Sequence, residues 1–331
     1  MIKSEDISVV VQGAIDKKET KKCLKSIRKY LPKAEIILST WKNSDVSGLD
    51  YDILVENDDP GAVVFNFENR RINNVNRQLV STKNGLEKVT RKYTLKFRTD
   101  FYLNGTRFLD FFGKFPKREE KFSVFKHRVI ASSIYTRDYS TFGRKRKFLP
   151  FHPSDFFFFG LSEDIISYFK NTPLMQKDDM AKYQCKNENK KPYQTPTFRY
   201  TPEQYFCLSY LWQIFPDIQF DDWTDWNKEN VKFSNKILYN NFIFLSTCES
   251  QIKSNKHWRS LLLEKNLCKG IIFYQKFVKI YKRTLDKDYS PNEFLLFGYL
   301  YDKIKIFLIR SVLKKRAFFV RLYRIFYYNF C

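Results

Sequence analysis

The sequence predicts an α/β protein with a mostly parallel, Rossmann-like sheet flanked by helices. Two observations support this prediction: β-branched apolar runs alternate with helical patterns through the first third of the chain, and the first run is apolar almost throughout. Strands that are buried on both faces of a parallel sheet have this continuous apolar pattern. Hydrophobic residues make up 43% of the 331 positions, which is enough to form a core and excludes wholesale disorder.

Strand and helix patterns alternate from the N-terminus to about residue 103, as in right-handed α/β sheets. Four strands are predicted from their apolar, β-branched composition, at residues 7–15, 34–41, 51–58 and 93–103. Two helices are predicted from helical patterning, at residues 18–31 and 69–90. Ligands in such sheets bind beyond the carboxyl ends of the strands, so polar residues at those ends are candidates for a binding site.

The pattern changes beyond residue 120. A strand is expected at 121–130. Asp155 lies in a turn that precedes an apolar strand and a helix capped by Ser162. A buried helix is expected at 201–215, with Thr201 as its N-cap.

The chain is strongly basic. Lys and Arg total 59 against 36 Asp and Glu, a formal net charge of +23. A surplus of this size favours polyanionic partners such as nucleic acid, acidic lipid or phosphate-bearing substrates. A strongly AT-biased genome would give a similar composition without any function, so both explanations stay open. The absence of G-x-x-x-x-G-K and G-x-G-x-x-G segments argues against a P-loop ATPase and a dehydrogenase with the usual fingerprint.

The C-terminal part of the chain is basic and aromatic. Residues 292–331 contain 12 aromatic residues, 8 Lys or Arg and only 2 acids, which is typical of basic amphipathic helices on an anionic membrane surface. An ordinary helix that packs on the main domain with a solvated basic face is the alternative. Six irregularly spaced cysteines favour reduced thiols, and the N-terminus lacks a signal-peptide pattern. We therefore expect a cytoplasmic protein that is peripheral on the inner face of the cytoplasmic membrane.

Polar residues at or after the predicted strand ends are candidates for binding a nucleotide and its diphosphate. These candidates are Gln12, Gly13, Asp58, Asp59, Arg77 and Arg98. Arg77 would grip a phosphate through its planar, bidentate guanidinium. Asp100 is the candidate metal ligand, because Mg²⁺ or Mn²⁺ takes one or two protein carboxylates together with phosphate oxygens. Such an ion would neutralise the charge that builds up on a departing nucleoside diphosphate.

Each of these candidates has a plainer alternative. The Asp-Pro-Gly sequence at 59–61 is also what a tight turn demands. Arg77 would otherwise belong to an exposed polar helix face, and Asp100 would cap a turn before Asn104 and Gly105.

Asp155 and Glu203 are the catalytic candidates. Each lies at the start of a buried apolar element, where a carboxylate is fixed and partly desolvated. A general base that deprotonates an acceptor hydroxyl needs this setting. The alternative for Glu203 is that its charge only complements a helix dipole.

Six segments between about residues 5 and 250 carry a resemblance to a known family. They are V-V-V-Q-G, E-N-D-D-P-G, N-N-V-N-R-Q-L-V-S-T-K-N-G-L, Y-T-L-K-F-R-T-D-F-Y-L, H-P-S-D-F-F-F-F-G and T-P-E-Q-Y-F. In these segments the chain resembles the WavE lipopolysaccharide-synthesis family of bacterial proteins. The two segments that contain R-Q-x-x-S-T-x-x-G-L and R-T-D are together the most specific part of the resemblance.

The resemblance implies a GT-A-like glycosyltransferase that acts on lipopolysaccharide core, O-antigen or capsule. Its donor would be a nucleotide sugar, and its acceptor a lipid-linked or lipopolysaccharide glycan at the inner face of the cytoplasmic membrane. By this resemblance, Arg98 and Asp100 stand where such enzymes have a D-x-D metal motif. Arg98 replaces the first carboxylate and could itself offset diphosphate charge. Asp155 would bind donor or acceptor sugar, and Glu203 would match the acidic residue that often acts as base in inverting members.

We expect two domains. Residues 1–250 would form the GT-A-like domain, with a nucleotide half at about 1–115 and an acceptor half at about 116–250. Residues 251–331 would form a helical, basic tail on the membrane surface. The alternative functions are a nucleotidyl- or phosphotransferase on a related fold and a basic nucleic-acid-binding protein. Nucleic acid is the less favoured partner, because the aromatic residues cluster in apolar runs and no RNA-binding or helix-turn-helix signature is present.

Overall fold

The computed structural model describes most of the chain, namely residues 2–67, 70–142, 145–182, 197–223, 225, 227–255 and 270–290, with Ile304 and Leu308. The strands in these residues are β1 (Ile7–Gln12), β2 (Glu35–Trp41), β3 (Ile53–Asn57), β4 (Val63–Asn66), β5 (Arg71–Asn73), β6 (Tyr93–Arg98), β7 (Tyr102–Leu103), β8 (Val129–Ser132), β9 (Tyr139–Phe142), β10 (Lys145–Phe148), β11 (Phe158–Leu161), β12 (Phe242–Leu245) and β13 (Ile252–Lys253). The α-helices are α1 (Lys17–Tyr30), α2 (Val75–Leu86), α3 (Ser162–Lys170), α4 (Lys177–Met180), α5 (Pro202–Leu211), α6 (Lys228–Asn241), α7 (Thr247–Ser250) and α8 (Tyr274–Thr284).

A central sheet of seven of these described strands has the order β12-β8-β11-β6-β1-β2-β3. β1 pairs in parallel with β2 and β6, β2 with β3, and β12 with β8, whereas β11 is antiparallel to both β6 and β8. All of β1 is buried, as expected for a strand in the middle of a sheet that helices flank. The predicted α/β class with a mostly parallel sheet is confirmed, and the architecture is consistent with a GT-A-like fold.

Two helices that position the site begin where their capping residues predict. The Asp16 carboxylate accepts hydrogen bonds from the first backbone N–H groups of α1. The Thr201 hydroxyl accepts a hydrogen bond from the backbone N–H of Gln204 at 3.1 Å, which confirms Thr201 as the N-cap of α5. This cap fixes Glu203 in the first turn of a helix whose residues from Gln204 onward are buried.

The strand predicted at 93–103 is interrupted after Arg98. The Thr99 hydroxyl donates to the carbonyl of Ala14 at 2.8 Å, and the backbone N–H of Phe101 turns back to the carbonyl of Arg98 at 3.1 Å. Beyond this turn, β7 leaves the central sheet and pairs with β13. The interruption matters because it leaves Arg98 and Asp100 at the edge of the sheet and not within a continuous strand.

Three other local predictions are wrong. The helix expected at 69–90 begins only at Val75, because Arg71–Asn73 form β5 and pair with β4. The strand expected at 121–130 begins only at Val129, because side chains from other elements bind the backbone N–H groups before it. The side-chain amide oxygen of Asn241 accepts from the backbone N–H of Val124. The Asp164 carboxylate accepts from the backbone N–H groups of Lys126 and His127. Ser162 does not cap α3: Leu161 is the N-cap residue. The Ser162 hydroxyl donates instead to the carbonyl of Arg91 at 2.6 Å.

The described residues beyond 250 pack on the sheet domain. β13 pairs with β7, and α8 places the rings of Phe277 and Tyr281 at 5.0 and 4.9 Å from the ring of Phe115. Most of the predicted basic tail lies outside the described residues, so its arrangement and the domain boundary near 250 stay predictions. In the described part of the chain, no helix combines the length and apolarity that crossing a bilayer requires.

Gly85 sets how closely α2 approaches the sheet. A Cβ atom at this position would lie 2.6 Å from Val10 Cγ1 and 3.0 Å from Ser39 Cβ, both on buried strands. Gly85→Ala is therefore expected to lower the free energy of unfolding by about 1–2 kcal/mol, since overpacking outweighs the gain in helix propensity of about 1 kcal/mol. Urea unfolding would measure the loss.

The control for this prediction is the double variant Val10→Ala/Gly85→Ala. Removing the Val10 methyl groups makes room for the added Cβ, so the double variant should lose less stability than the sum of the two single losses. Two outcomes would show that α2 does not approach the sheet this closely. One is a double variant whose loss of stability equals the sum of the two single losses, and the other is a Gly85→Ala variant that is more stable than the wild type.

Candidate functional site

A cleft of about 810 Å³ opens at the carboxyl ends of β1, β2 and β6. Its lining comes from these strand ends, the turn after β3, the starts of α1 and α2 and the chain after β13: Gln12, Ala14, Ile15, Asp16, Glu19, Trp41, Asp59, Asn74, Arg77, Gln78, Arg98, Thr99, Asp100 and Asn255. Five of these were predicted as binding or metal residues from the sequence: Gln12, Asp59, Arg77, Arg98 and Asp100. This sheet edge is where α/β proteins bind ligands.

The end of β1 is fixed on both sides. The side-chain oxygen of Gln12 accepts a hydrogen bond from the Ser81 hydroxyl of α2 at 2.7 Å. Gly13 has a φ of +124°, and a Cβ atom there would lie 3.2 Å from the Thr99 hydroxyl, so glycine suits this turn. Gly13 thus allows the turn between Gln12 and Ala14, which both line the cleft, and the side chain of Gln12 is held in place there.

The two adjacent carboxylates after β3 have different positions. Asp59 lines the cleft and accepts two hydrogen bonds from Arg77, at 2.7 Å from Nε and 2.6 Å from Nη2. Asp58 is not part of the lining; its side chain is 86% exposed and pairs with Lys42 at 2.9 Å. Asp59 also accepts a hydrogen bond from the backbone N–H of Gly61. Asp59 therefore both forms the predicted tight turn and lines the cleft. The nucleotide role predicted for Asp58 stays a prediction that its position does not support.

Arg98 and Asp100 form a bidentate ion pair at the end of β6. Arg98 Nε and Nη2 donate to the two carboxylate oxygens of Asp100 at 2.9 and 2.8 Å. The guanidinium carbon lies 4.5 Å from the centre of the Phe156 ring, a cation–π distance. Both side chains are largely buried, so pairing and hydrogen bonding offset the cost of removing the two charges from water.

The described residues do not fit a divalent ion at Asp100 as they are arranged. Both Asp100 oxygens already accept hydrogen bonds from Arg98. In the described ranges, no group of three His, Cys, Asp or Glu side chains comes together as a set of metal ligands. The Mg²⁺ or Mn²⁺ expected from the sequence therefore stays a prediction.

A second cluster of charged groups lies beside this pair. Because β11 runs antiparallel to β6, with Phe158 opposite Lys96, the residues before β11 lie near the carboxyl end of β6. Asp155 is within electrostatic range of Arg98, of Lys96 and of Glu203 at the start of α5. The sheet edge therefore brings both catalytic candidates together, and Arg98 connects them electrostatically to Asp100.

Burial controls the protonation of this cluster. Burial, and then the charge of Asp155, raises the pKa of Glu203 to about 7. Both carboxylate oxygens of Asp155 are buried and have no hydrogen-bond partner among the described residues. His152 Nε2 lies 3.8 Å from the Glu203 carboxylate. Burial, and then the charge of Arg137, lowers the pKa of His152 to about 3, so this contact is not an ion pair at neutral pH.

Lys96 and Trp41 are residues of this region that sequence reasoning missed. Lys96 is fully buried within β6, and its ammonium group donates to the backbone carbonyl of Asp155. Burial lowers the pKa of Lys96 to about 8. A cation in the middle of an apolar strand was the available signal for Lys96. Trp41 ends β2 in the cleft, where its ring offers a flat apolar surface, and an aromatic residue at a strand end was the signal.

The raised pKa of Glu203 predicts how stability depends on pH. An unfolded chain releases this proton near pH 4.5 and the folded protein near pH 7, so the stabilisation is full below pH 4.5 and is lost as the pH rises through 7. Relative to Glu203→Gln, the wild type should lose about 2 kcal/mol of unfolding free energy between pH 5 and pH 8. Urea unfolding across this range measures the difference.

Glu229→Gln is the matched control. Glu229 occupies the same first-turn position in α6 as Glu203 in α5, but it is exposed. Its pH profile should follow that of the wild type. If the unfolding free energies of the wild type and Glu203→Gln changed with pH in parallel, the pKa of Glu203 would not be raised by folding.

Comparison with known protein families finds a match over nearly the whole chain. The family model described as WavE lipopolysaccharide synthesis matches residues 7–313. The six segments that carry the resemblance lie before about residue 250, whereas the match continues through α8 and into the basic segment. No curated protein matches the chain. Since the family match covers nearly the whole sequence, this chain belongs to the WavE lipopolysaccharide synthesis family.

Proposed function

We propose that this protein is a glycosyltransferase that moves a sugar from a nucleotide-sugar donor to a bacterial surface glycan. The glycan would belong to lipopolysaccharide core, O-antigen or capsule, presented at the cytoplasmic face of the inner membrane. The observation that carries the proposal is the sheet edge, which holds a cleft with two arginines. In electrostatic range of Arg98 lies Asp155, whose charge also raises the pKa of the largely buried Glu203. The family's role in lipopolysaccharide synthesis supports a glycan as the substrate.

The donor would lie in the cleft. Arg77 has a planar guanidinium at the cleft wall, and Arg98 has another at the end of β6. Both would exchange part of their pairing with carboxylates for charge-assisted hydrogen bonds to phosphate oxygens. Trp41 would provide a surface for the base, and Gln12 a held amide for donor hydroxyl groups. These contacts would orient the sugar toward the Asp155–Glu203 pair.

Glu203 would accept the proton of the attacking hydroxyl. Its side chain is 11% exposed, whereas Asp155 as a whole residue is only 2% exposed, so Glu203 is the more accessible of the two. A pKa near 7 lets the same carboxyl group hold and release a proton at cellular pH. As the acceptor oxygen bonds to the anomeric carbon, its proton passes to Glu203. The bond from that carbon to the diphosphate oxygen breaks, and its electron pair leaves with the nucleoside diphosphate.

Arg77 is expected to contribute to donor affinity. Arg77→Gln should weaken binding of the best nucleoside diphosphate in a panel of UDP, GDP and dTDP by about tenfold, because charge-assisted hydrogen bonds to phosphate are lost. Calorimetric titration, with and without Mn²⁺, measures the affinity. Because Arg77 and Arg98 already offer two positive charges to the diphosphate, removing the ion should leave the affinity within about twofold.

Lys42→Gln is the matched control for Arg77→Gln. Lys42 pairs with Asp58 as Arg77 pairs with Asp59, but neither Lys42 nor Asp58 lines the cleft. Its affinity should equal that of the wild type. Equal losses in the two variants would place the nucleotide elsewhere, and a tenfold gain on adding Mn²⁺ would contradict the metal-independent arrangement.

Glu203→Gln tests the chemical step. Removing the base should lower the rate of sugar transfer by about 10²–10⁴-fold while donor affinity stays unchanged. Product analysis with a panel of nucleotide sugars and a lipopolysaccharide-derived acceptor mixture measures the rate. Glu229→Gln, at the equivalent helix position, should transfer at the wild-type rate, which separates catalysis from a helix-dipole effect. Release of pyrophosphate by the wild type would indicate nucleotidyl transfer instead.

A further inference from the structure

A second cavity lies between α6 and α8 and shares no lining residue with the cleft. It has a volume of about 540 Å³. Cationic residues follow each helix at spacings of three or four, which places them along one face: Lys228, Lys232 and Lys236 on α6, and Lys276, Lys279 and Arg283 on α8. All of these except Lys228 line the cavity, which we call the α6–α8 groove. The fold therefore sets two rows of positive charge side by side.

Carboxylates neutralise only part of this charge. Glu119 pairs with Lys236, and Asp138 pairs with Lys276. The other three cations of the groove are exposed and have no carboxylate partner within the described ranges: Lys232, Lys279 and Arg283. The groove thus keeps a net positive charge that is available to an anionic ligand.

The groove is held rigidly by the opposite face of α8. Tyr274, Phe277, Val278 and Tyr281 are buried in the core of the domain. The aliphatic side chains of Ile280 and Leu285 also line the groove. Because α8 is anchored by its apolar face, little ordering of the helix would be needed when its cationic face meets a ligand.

We propose that the α6–α8 groove binds the headgroups of anionic phospholipids and docks the protein on a membrane. Lys and Arg are the residues that bind phosphate groups, and clusters of them attach proteins to anionic bilayers. The row from Lys228 to Lys236 extends for about 12 Å along its helix, which exceeds a single phosphate group and suits an array of headgroups. The aliphatic part of the lining suits the glycerol and upper acyl region of a lipid better than a stacked base.

The sequence that follows α8 supports a lipid surface over nucleic acid as the occupant. Residues 292–331 have 12 aromatic residues, 8 Lys or Arg and 2 acids, a composition typical of segments on membrane surfaces. The docking surface itself consists only of described residues of α6, α8 and their neighbours. It does not depend on the sugar-transfer chemistry, so the two proposals can fail separately.

Vesicle sedimentation with the full chain tests the docking surface. The triple variant Lys232→Gln/Lys279→Gln/Arg283→Gln should bind vesicles of equal phosphatidylglycerol and phosphatidylcholine about a hundredfold more weakly than the wild type at low salt. The control variant Lys21→Gln/Lys25→Gln/Lys29→Gln removes three exposed cations from α1, outside the groove, and should lose less than about threefold. Vesicles of phosphatidylcholine alone should bind none of the three proteins.

Three results would overturn the proposal. One is a wild type that does not bind the anionic vesicles, and another is an equal loss in both triple variants, which would indicate diffuse charge. The third is that binding of a random single-stranded oligonucleotide depends on the groove cations while binding of the vesicles does not. Nucleoside diphosphate affinity should be unchanged in the groove variant, so a failure here leaves the donor site untouched.

Discussion

The bidentate pair of Arg98 and Asp100 is the interaction on which the candidate site depends. A guanidinium at the largely buried end of β6 is stable only if a carboxylate pairs with it, and removing one partner of such a pair typically costs about 3–5 kcal/mol. Asp100 satisfies this need through both oxygens. Each oxygen of that carboxylate thereby accepts a hydrogen bond from Arg98, and the guanidinium stays at the cleft wall. This pairing therefore stabilises the two charged groups at the end of β6.

The carboxylates of Asp155 and Glu203 belong to the same group of closely spaced charges. Arg98 and Lys96 lie in electrostatic range of Asp155, which helps to keep an acidic group stable in the interior. Glu203 has less compensation, because burial and the charge of Asp155 both favour its protonated form. A carboxyl group with a pKa near neutrality lowers the stability of the folded protein at high pH, but it is well suited to accepting and releasing a proton. Such pKa shifts are concentrated at functional sites, which is why we place the chemistry here.

Much of the fold and part of the site were predictable from local patterns. The carboxyl ends of parallel strands meet at one edge, so Gln12 and Arg98 could be placed together from the sequence alone. The choice between Asp58 and Asp59 could not, because adjacent residues face different ways and only the tertiary partners Lys42 and Arg77 distinguish them. The α6–α8 groove was equally hidden, since sequence spacing shows each cationic row but not that the two rows are neighbours. The Arg98–Asp100 pair was missed, because the apolar pattern predicted a continuous strand to residue 103 and did not show the turn that follows Arg98.

Hydrogen–deuterium exchange with the tightest-binding nucleoside diphosphate tests most directly whether the sheet-edge cleft is the donor site. Binding should slow exchange in the peptides that contain the end of β1, the start of α2 and the turn after β6, because their backbone groups surround the cleft. The α6–α8 groove should show no protection. Protection confined to that groove, or no protection by any nucleoside diphosphate, would contradict the account.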